Sequence, residues 1–334
     1  MEYLINTVLS GSYRVDAQIA TGGMGVVFSG THLASGDRVA IKVLVMPAEA
    51  GSAIRERFLN EALAAARLKN PHVARFREIG TLGNGTPFIV MELLDGIDLG
   101  RVLEQTDHLM PELAVDYILQ ACEALSEAHS LGIVHRDIKP SNLFIAARPD
   151  GSQMLKVLDF GISRAPLSAG RLTSHDTVLG TPVYMAPEQM KAARLADARS
   201  DVWSLGAVLY ELIEGLVPFD GDSYPELCLR IAMDPPMPML AAVPPGLERA
   251  IARCLEKDPA VRWQSVADLG RAIVPYTRQV QQGWLRMARI ERNVESNPGA
   301  TLGKPEREPT RGVATLRMAR ARVITPGMRK GGSS

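Results

Sequence analysis

His135-Arg136-Asp137-Ile138-Lys139-Pro140-Ser141-Asn142 is the stretch on which the reading of this sequence turns. Just upstream, Leu113–Leu131 has the texture of a long helix. Downstream, an apolar strand through Val157-Leu158 closes on Asp159-Phe160-Gly161, 17 residues after Asn142. That tripeptide is common by chance, and it gains meaning from its place behind the octapeptide. Further upstream, Val39-Ala40-Ile41-Lys42 is an apolar strand closed by a lysine, and Ile19-Ala20-Thr21-Gly22-Gly23-Met24-Gly25-Val26-Val27 is a glycine-rich segment ahead of it. Glycines let a backbone approach a ligand closely and adopt conformations that a Cβ forbids. Taken singly, such a loop is as often a plain turn, and a strand lysine is usually a solvated edge charge. It is the order of the four elements that carries information.

Between these landmarks the periodicity changes. Val26–Phe28 and Arg38–Val43 are rich in β-branched residues around a Ser35-Gly36-Asp37 turn, and Phe88–Met91 is another strand. A helix is predicted over Ser52–Lys69, with Phe58, Leu59, Ala62, Leu63 and Ala66 on one face, ended by Pro71. From Pro111 the chain is mainly helical, with further helices predicted at Val202–Leu216, Leu247–Glu256 and Val266–Tyr276. The expectation is an α+β fold of two lobes, a small β-rich one followed by a larger helical one. A surface loop is expected at Ala147–Gln153.

These motifs, in this order, resemble the protein kinase family, specifically the eukaryotic-like (Hanks-type) serine/threonine kinases of bacteria. The resemblance covers residues 13–276 and implies a lobe at about 13–91, a hinge at 92–96 and a second lobe at 97–276, with 1–12 as an N-terminal extension. It implies ATP and a divalent cation, Mg²⁺ or Mn²⁺, as cofactors, and transfer of the γ-phosphate to protein Ser or Thr hydroxyls. In that reading Asp137 accepts the substrate hydroxyl's proton, Lys139 offsets charge at the transferring phosphate, and Asn142 and Asp159 hold metal. Lys42 holds the α- and β-phosphates, oriented by a carboxylate from the following helix, Glu61 by its context with Glu56 as the alternative. Ile19, Gly22, Gly25, Val27, Ala40, Lys42, Met91, Glu92 and Leu94 are implied to surround the nucleotide, Met91 as the gatekeeper. Ala20 stands where the first loop glycine is usual, which implies reduced nucleotide affinity at most. Lysine two residues after the aspartate resembles the serine/threonine subfamily. Gly180–Glu188 resembles the end of an activation segment that shapes a peptide platform. Glu188 with Arg262 resembles a structural ion pair, Asp201 an anchor for the octapeptide backbone, and Thr181 a contact of Asp137 and Lys139.

Between Asp159 and Glu188 lie Ser163, Ser168, Thr173, Ser174 and Thr177, and the resemblance implies that Arg136 beside Asp137 is a candidate receptor for a phosphate there. Autophosphorylation is expected at Thr173, with Ser174 and Thr177 as further candidates, and with self-association as one route to it. The composition fits a large core: 46% of the 334 residues are hydrophobic and 22% charged. No run approaches the roughly 18–20 apolar residues of a membrane span. Neither a secretory leader nor a disulfide framework is evident, since Cys122, Cys228 and Cys254 are widely and irregularly spaced. A cytoplasmic location is therefore expected. From Tyr276 onward there are 12 Lys and Arg against 4 Asp and Glu, leaving 25 basic and 33 acidic groups before it. Residues 277–334 are read as a basic, largely disordered tail. Two basic-apolar stretches in it, Trp284–Arg292 and Leu316–Val323, could engage a partner, with nucleic acid disfavoured for want of aromatic interleaving. The rival readings are a scaffold of the same shape without turnover, an adaptor working through its tail, and a small-molecule phosphotransferase. The complete residue set speaks against the first, and the activation segment speaks for protein substrates.

Overall fold

The computed structural model describes residues 1–22, 25–44, 59, 62–160 and 182–296. Its N-terminal part is a six-stranded antiparallel sheet. The strands are β1 (Val8–Leu9), β2 (Tyr13–Gly22), β3 (Gly25–His32), β4 (Arg38–Leu44), β5 (Phe76–Thr81) and β6 (Pro87–Glu92), in the order β1-β2-β3-β4-β6-β5. The β3–β4 turn falls at Ser35-Gly36-Asp37 as predicted, with Gly36 at φ 74°.

Side chains alternate across a strand, so register decides which residues share a face. Val39, Ile41 and Val43 point with Phe28, Phe88 and Val90 into one buried cluster. The alternate residues Ala40, Lys42 and Leu44 face the other way. Val27 pairs with Lys42, Lys42 with Ile89, and Ala40 with Met91, so these residues lie together on the second face. Leu44, Ile89 and Ala62 form a separate small cluster there, with Met91 against it.

Residues 62–65 are helical, and the helix stops short of the predicted Lys69. The amides of Arg67 and Leu68 turn to the carbonyls three residues back. Those of Lys69 and Asn70 are taken up by the Glu127 carboxylate instead of by helix carbonyls. A carboxylate 57 residues away thus ends this helix, a signal invisible in the local sequence.

The second lobe opens with β7 (Gly96–Asp98) and α1 (Leu99–Thr106), followed by α2 (Pro111–Ser130). Proline at the first helical position of α2 forfeits only an amide that a helix start leaves unpaired. Ala114, Ile118, Ala121, Leu125 and Ala128 then run fully buried through the lobe's main cluster. Strand β8 (Leu143–Ala147) pairs with β7 on one side and with β9 (Gln153–Val157) on the other in a three-stranded sheet, with the expected surface loop between β8 and β9. The helices α3 (Pro187–Lys191), α4 (Ala198–Glu214), α5 (Tyr224–Met233), α6 (Pro245–Cys254), α7 (Val266–Ile273) and α8 (Val280–Glu295) follow. Cys122 and Cys254 are buried among apolar neighbours, and burial pushes both thiols up.

Helix α8 corrects the reading of everything beyond 276 as disordered. Gly283, Met287 and Ile290 are buried at helical spacing, and Met287 and Ile290 belong to the main cluster. An amphipathic stripe seated on a formed core is what makes a helix here. The stretch Leu316–Val323 lies outside the described residues.

Candidate active site

The octapeptide is held from below by Asp201 near the start of α4. This carboxylate is fully buried and accepts three hydrogen bonds: from His129 Nε2 and the His135 amide to Oδ2, and from the Arg136 amide to Oδ1, each 2.8 Å. Burial alone would raise its pKa, but the His129 hydrogen bond and nearby imidazoles outweigh burial and hold it below the ordinary aspartate value. The sign follows: with a depressed folded pKa, the stabilisation is complete above the usual value of 3.8 and is lost as pH falls toward the folded value. Asp201→Asn is therefore expected to be markedly less stable than wild type at neutral pH and nearly equal to it in acid. Equal stability differences at both pH values, measured by urea denaturation, would contradict this.

His135 is fully buried and fixes the chain crossing above it. Its Nε2 donates to the Leu158 carbonyl at 2.8 Å, and its Nδ1 accepts from the Asp137 amide at 3.2 Å. These two bonds define one tautomer. The ring lies 4.7 Å from that of buried Phe160. One histidine thereby ties the octapeptide to the segment carrying Asp159.

Asp137 Oδ2 accepts from Lys139 Nζ and from Asn142 Nδ2, both at 3.0 Å. Asn142 Nδ2 also donates to the Asp137 carbonyl at 2.7 Å. With its nitrogen so engaged, the amide of Asn142 turns its oxygen elsewhere, and that oxygen has no hydrogen bond among the described residues. Across the cleft, Lys42 Nζ lies 2.7 Å from Asp159 Oδ1. Burial would raise the Asp159 pKa, but the Lys42 ammonium more than offsets it and holds the carboxyl low. Asp159 is thus ionised, with a hard oxygen donor of the kind Mg²⁺ takes. Both Arg136 and Asp159 sit at positive φ, 65° and 57°.

The residues expected around a nucleotide divide by environment. Val27, Ala40, Lys42 and Met91 share one sheet face, as register requires. Ile19 is half exposed at the end of β2. The two described loop glycines differ. A Cβ on Gly25 would stand 2.5 Å from the Val43 carbonyl oxygen, so strand packing alone demands glycine there. A Cβ on Gly22 would meet nothing within 4 Å. Packing gives no reason for glycine at 22; close approach of a ligand would. Leu94 is partly buried in the link to the second lobe. The Glu92 carboxylate is committed elsewhere, accepting from Lys156 Nζ at 2.5 Å and the Arg75 amide at 2.8 Å. The Glu92 amide is engaged as well, donating to the Arg75 carbonyl at 2.9 Å.

Glu188 and Arg262 form the expected ion pair, bidentate at 2.8 and 3.1 Å with Arg262 fully buried. Gln189 Nε2 donates to the Arg136 carbonyl, and Arg136 Nε is buried with no partner among the described residues. Glu61, Glu56, Ser163, Ser168, Thr173, Ser174, Thr177 and Thr181 lie outside the described residues. Sequence reasoning missed the Glu92–Lys156 pair and the His129 contact to Asp201, both of which join residues more than 60 positions apart.

No described helix is long and apolar enough to cross a membrane. The protein kinase domain family matches residues 13–271. The serine/threonine-protein kinase PknA of Mycobacterium tuberculosis is 38% identical over 273 residues, 80% of this chain and 62% of that protein. The serine/threonine-protein kinase pkn3 of Myxococcus xanthus is also 38% identical, over 78% of this chain and 49% of its own length. A probable serine/threonine-protein kinase PknB of Corynebacterium glutamicum is 35% identical over 79% of this chain and 42% of its own. The chain spans between two fifths and two thirds of the length of these relatives. On its motifs, its fold and these likenesses, the chain belongs to the protein kinase family, which uses ATP with a divalent metal ion.

Proposed function

We propose that this protein transfers the γ-phosphate of ATP to serine and threonine hydroxyls of proteins, as the names of its relatives say of them. The observation that carries the reading is the pairing of two carboxylates with separate partners, Asp137 with Lys139 and Asn142, and Asp159 with Lys42. Phosphoryl transfer needs positioning and neutralised charge more than covalent help from the protein.

In this proposal Asp137 orients the acceptor hydroxyl and takes its proton. Lys139, bound to the same carboxylate, faces the charge that develops on the phosphate. Lys42 holds the α- and β-phosphates, with Glu61 as its orienting carboxylate. Asn142 and Asp159 hold the cation, Mg²⁺ or Mn²⁺, whose chemistry is to neutralise phosphate charge. Ile19, Val27 and Ala40 cover the adenine and the backbones of Glu92 and Leu94 pair with it, behind Met91. Gly22 and Gly25 let the loop close over the phosphates. Protein substrates, a cytoplasmic site of action and a kinase unit starting near residue 13 belong to the same reading.

Arg136 Nε, unpartnered among the described residues, supports a phosphate receptor beside the activation segment. Thr173, with Ser174 and Thr177, is the proposed place of autophosphorylation, reached by contact between two copies. Incubation of the purified protein with ATP and Mg²⁺, followed by mass spectrometry, tests both. Phosphoserine or phosphothreonine is expected in wild type and absent from Asp159→Asn, with at least one site among residues 163–177. Phosphotyrosine alone, or no phosphate on the protein or on a generic protein substrate, would defeat the reading.

A further inference from the structure

Helix α8 begins nine residues beyond the span matched by the kinase family, yet its basic face reaches the joint between the lobes. Glu123 of α2 is buried, 3% exposed, in an otherwise apolar part of the helix. Such a carboxylate needs cations, since a buried unpaired charge is costly. Both come from α8. Arg289 donates to Oε1 at 2.7 Å and to Oε2 at 3.2 Å, and Arg286 Nη1 donates to Oε2. Asn293 adds a hydrogen bond to Ser126 at 2.9 Å. Burial would raise the Glu123 pKa, but its two arginines outweigh that and hold it low.

The two arginines are not equivalent. Among the described residues Arg289 donates to Glu123 alone, whereas Arg286 Nη1 also donates to His72 Nε2. His72 is 3% exposed, and its Nδ1 donates to the Leu155 carbonyl at 2.8 Å. Burial and then the Arg286 charge push its pKa down to about 4, so the ring is neutral and Nε2 is free to accept. The backbone of the same residue continues the chain of contacts. The His72 carbonyl accepts from the Val157 amide at 2.7 Å, and Val73 bridges Val157 in parallel. The Leu158 amide bonds the Asn142 carbonyl at 2.9 Å, and Asp159 follows. His72 also belongs to the segment that leaves the helix at 62–65 for β5.

We propose that Arg286 is a positioning residue for phosphoryl transfer, acting through His72 on the strand that presents Asp159. It touches no substrate and works by fixing the crossing of residues 70–74 over β9. The bland alternative is a staple that stabilises α8 and nothing else, and Arg289 provides the comparison because it shares Glu123 without reaching His72. The proposal rests on the kinase reading for its kinetic consequence but not for its structural one.

The test uses the full chain. Arg286→Met keeps the aliphatic stem and removes the guanidinium, Arg289→Met does the same one turn on, and His72→Phe keeps ring volume while deleting both ring hydrogen bonds. Amide hydrogen exchange is measured at residues 70–74 and 155–160, with kcat and KM measured for a protein substrate. Arg286→Met and His72→Phe are expected to speed exchange in both segments and to lower kcat several-fold with KM unchanged, within the ~100-fold that a 1 Å misplacement can cost. Arg289→Met is expected to leave exchange in these segments and kcat as in wild type, even where it lowers thermal stability. Equal effects of the two arginine changes, or faster exchange confined to residues 280–295, would overturn the proposal. Should Arg286→Met not fold, Arg286→Gln takes its place against Arg289→Gln by the same readouts. A wild-type protein without phosphoryl transfer would defeat the functional reading and leave the exchange result standing.

Discussion

Asp137→Asn is expected to slow phosphoryl transfer by about 10²- to 10⁴-fold, the range in which a positioned proton acceptor usually contributes. Nucleotide affinity should change little, because the described contacts of Asp137 are to its own loop. The present Oδ2 accepts two hydrogen bonds, from Lys139 and Asn142, and Oδ1 has no partner among the described residues. Oδ1 is thus the atom available to an incoming hydroxyl. An asparagine keeps the shape but cannot both accept from Lys139 and present an acceptor to the hydroxyl: one of its two terminal atoms is now a donor. It also leaves the Lys139 ammonium without its counter-charge. Single-turnover measurement at saturating ATP is the check, and a variant retaining more than a tenth of the wild-type rate would remove Asp137 from the chemical step.

The largest effect on stability is expected far from that carboxylate. Arg262→Ala should cost about 3–5 kcal/mol, the range for breaking a buried ion pair. At about 2–4 °C per kcal/mol for a domain of roughly this size, the melting temperature should fall by about 6–20 °C. The cost is high because Arg262 does more than neutralise Glu188. Its Nε donates to the Glu256 carbonyl at 3.0 Å and its Nη1 to the Arg199 carbonyl at 2.9 Å, while Glu188 also accepts from Ser200. Truncation strands a carboxylate and two carbonyls together. For the same reason an apolar pair, Arg262→Met with Glu188→Leu, should recover only part of the loss. It removes the unpaired charge but leaves the carbonyls unmet. Thermal melts of the single and double variants decide this, and full recovery in the double variant would show that the ion pair alone sets the cost.

How much of this was legible in the sequence depended on how local each signal was. The octapeptide, Val39–Lys42 and the run into Asp159 are contiguous, and each carries its chemistry within a few residues. The two-residue period of β4 likewise puts Ala40 and Lys42 on one face by alternation alone. The fold class followed from the same periodicities. What remained hidden were side chains whose partners are distant. Glu92 looks like a nucleotide neighbour because of its place in the chain, and only the fold reveals Lys156 claiming its carboxylate. Glu123 gave no hint of function within an apolar helix, because its cations are over 160 positions away. Helix α8 was partly readable. Gly283, Met287 and Ile290 recur at four and three residues, but a stripe opening on glycine amid arginines is weak until the groove it fills is known.

The left-handed backbone of Arg136 sets two selective pressures against each other. A non-glycine residue at positive φ there is strained, of order 1 kcal/mol or more, and glycine would relieve it. Yet the residue is an arginine whose Nε is buried with no partner among the described residues. A library of this gene sorted only for heat tolerance should therefore drift toward glycine at position 136, and one sorted for phosphoryl transfer should hold arginine if the proposed phosphate receptor is needed. The two pools would diverge first at a residue that does no chemistry itself, which makes position 136 a gauge of which demand a given lineage has felt.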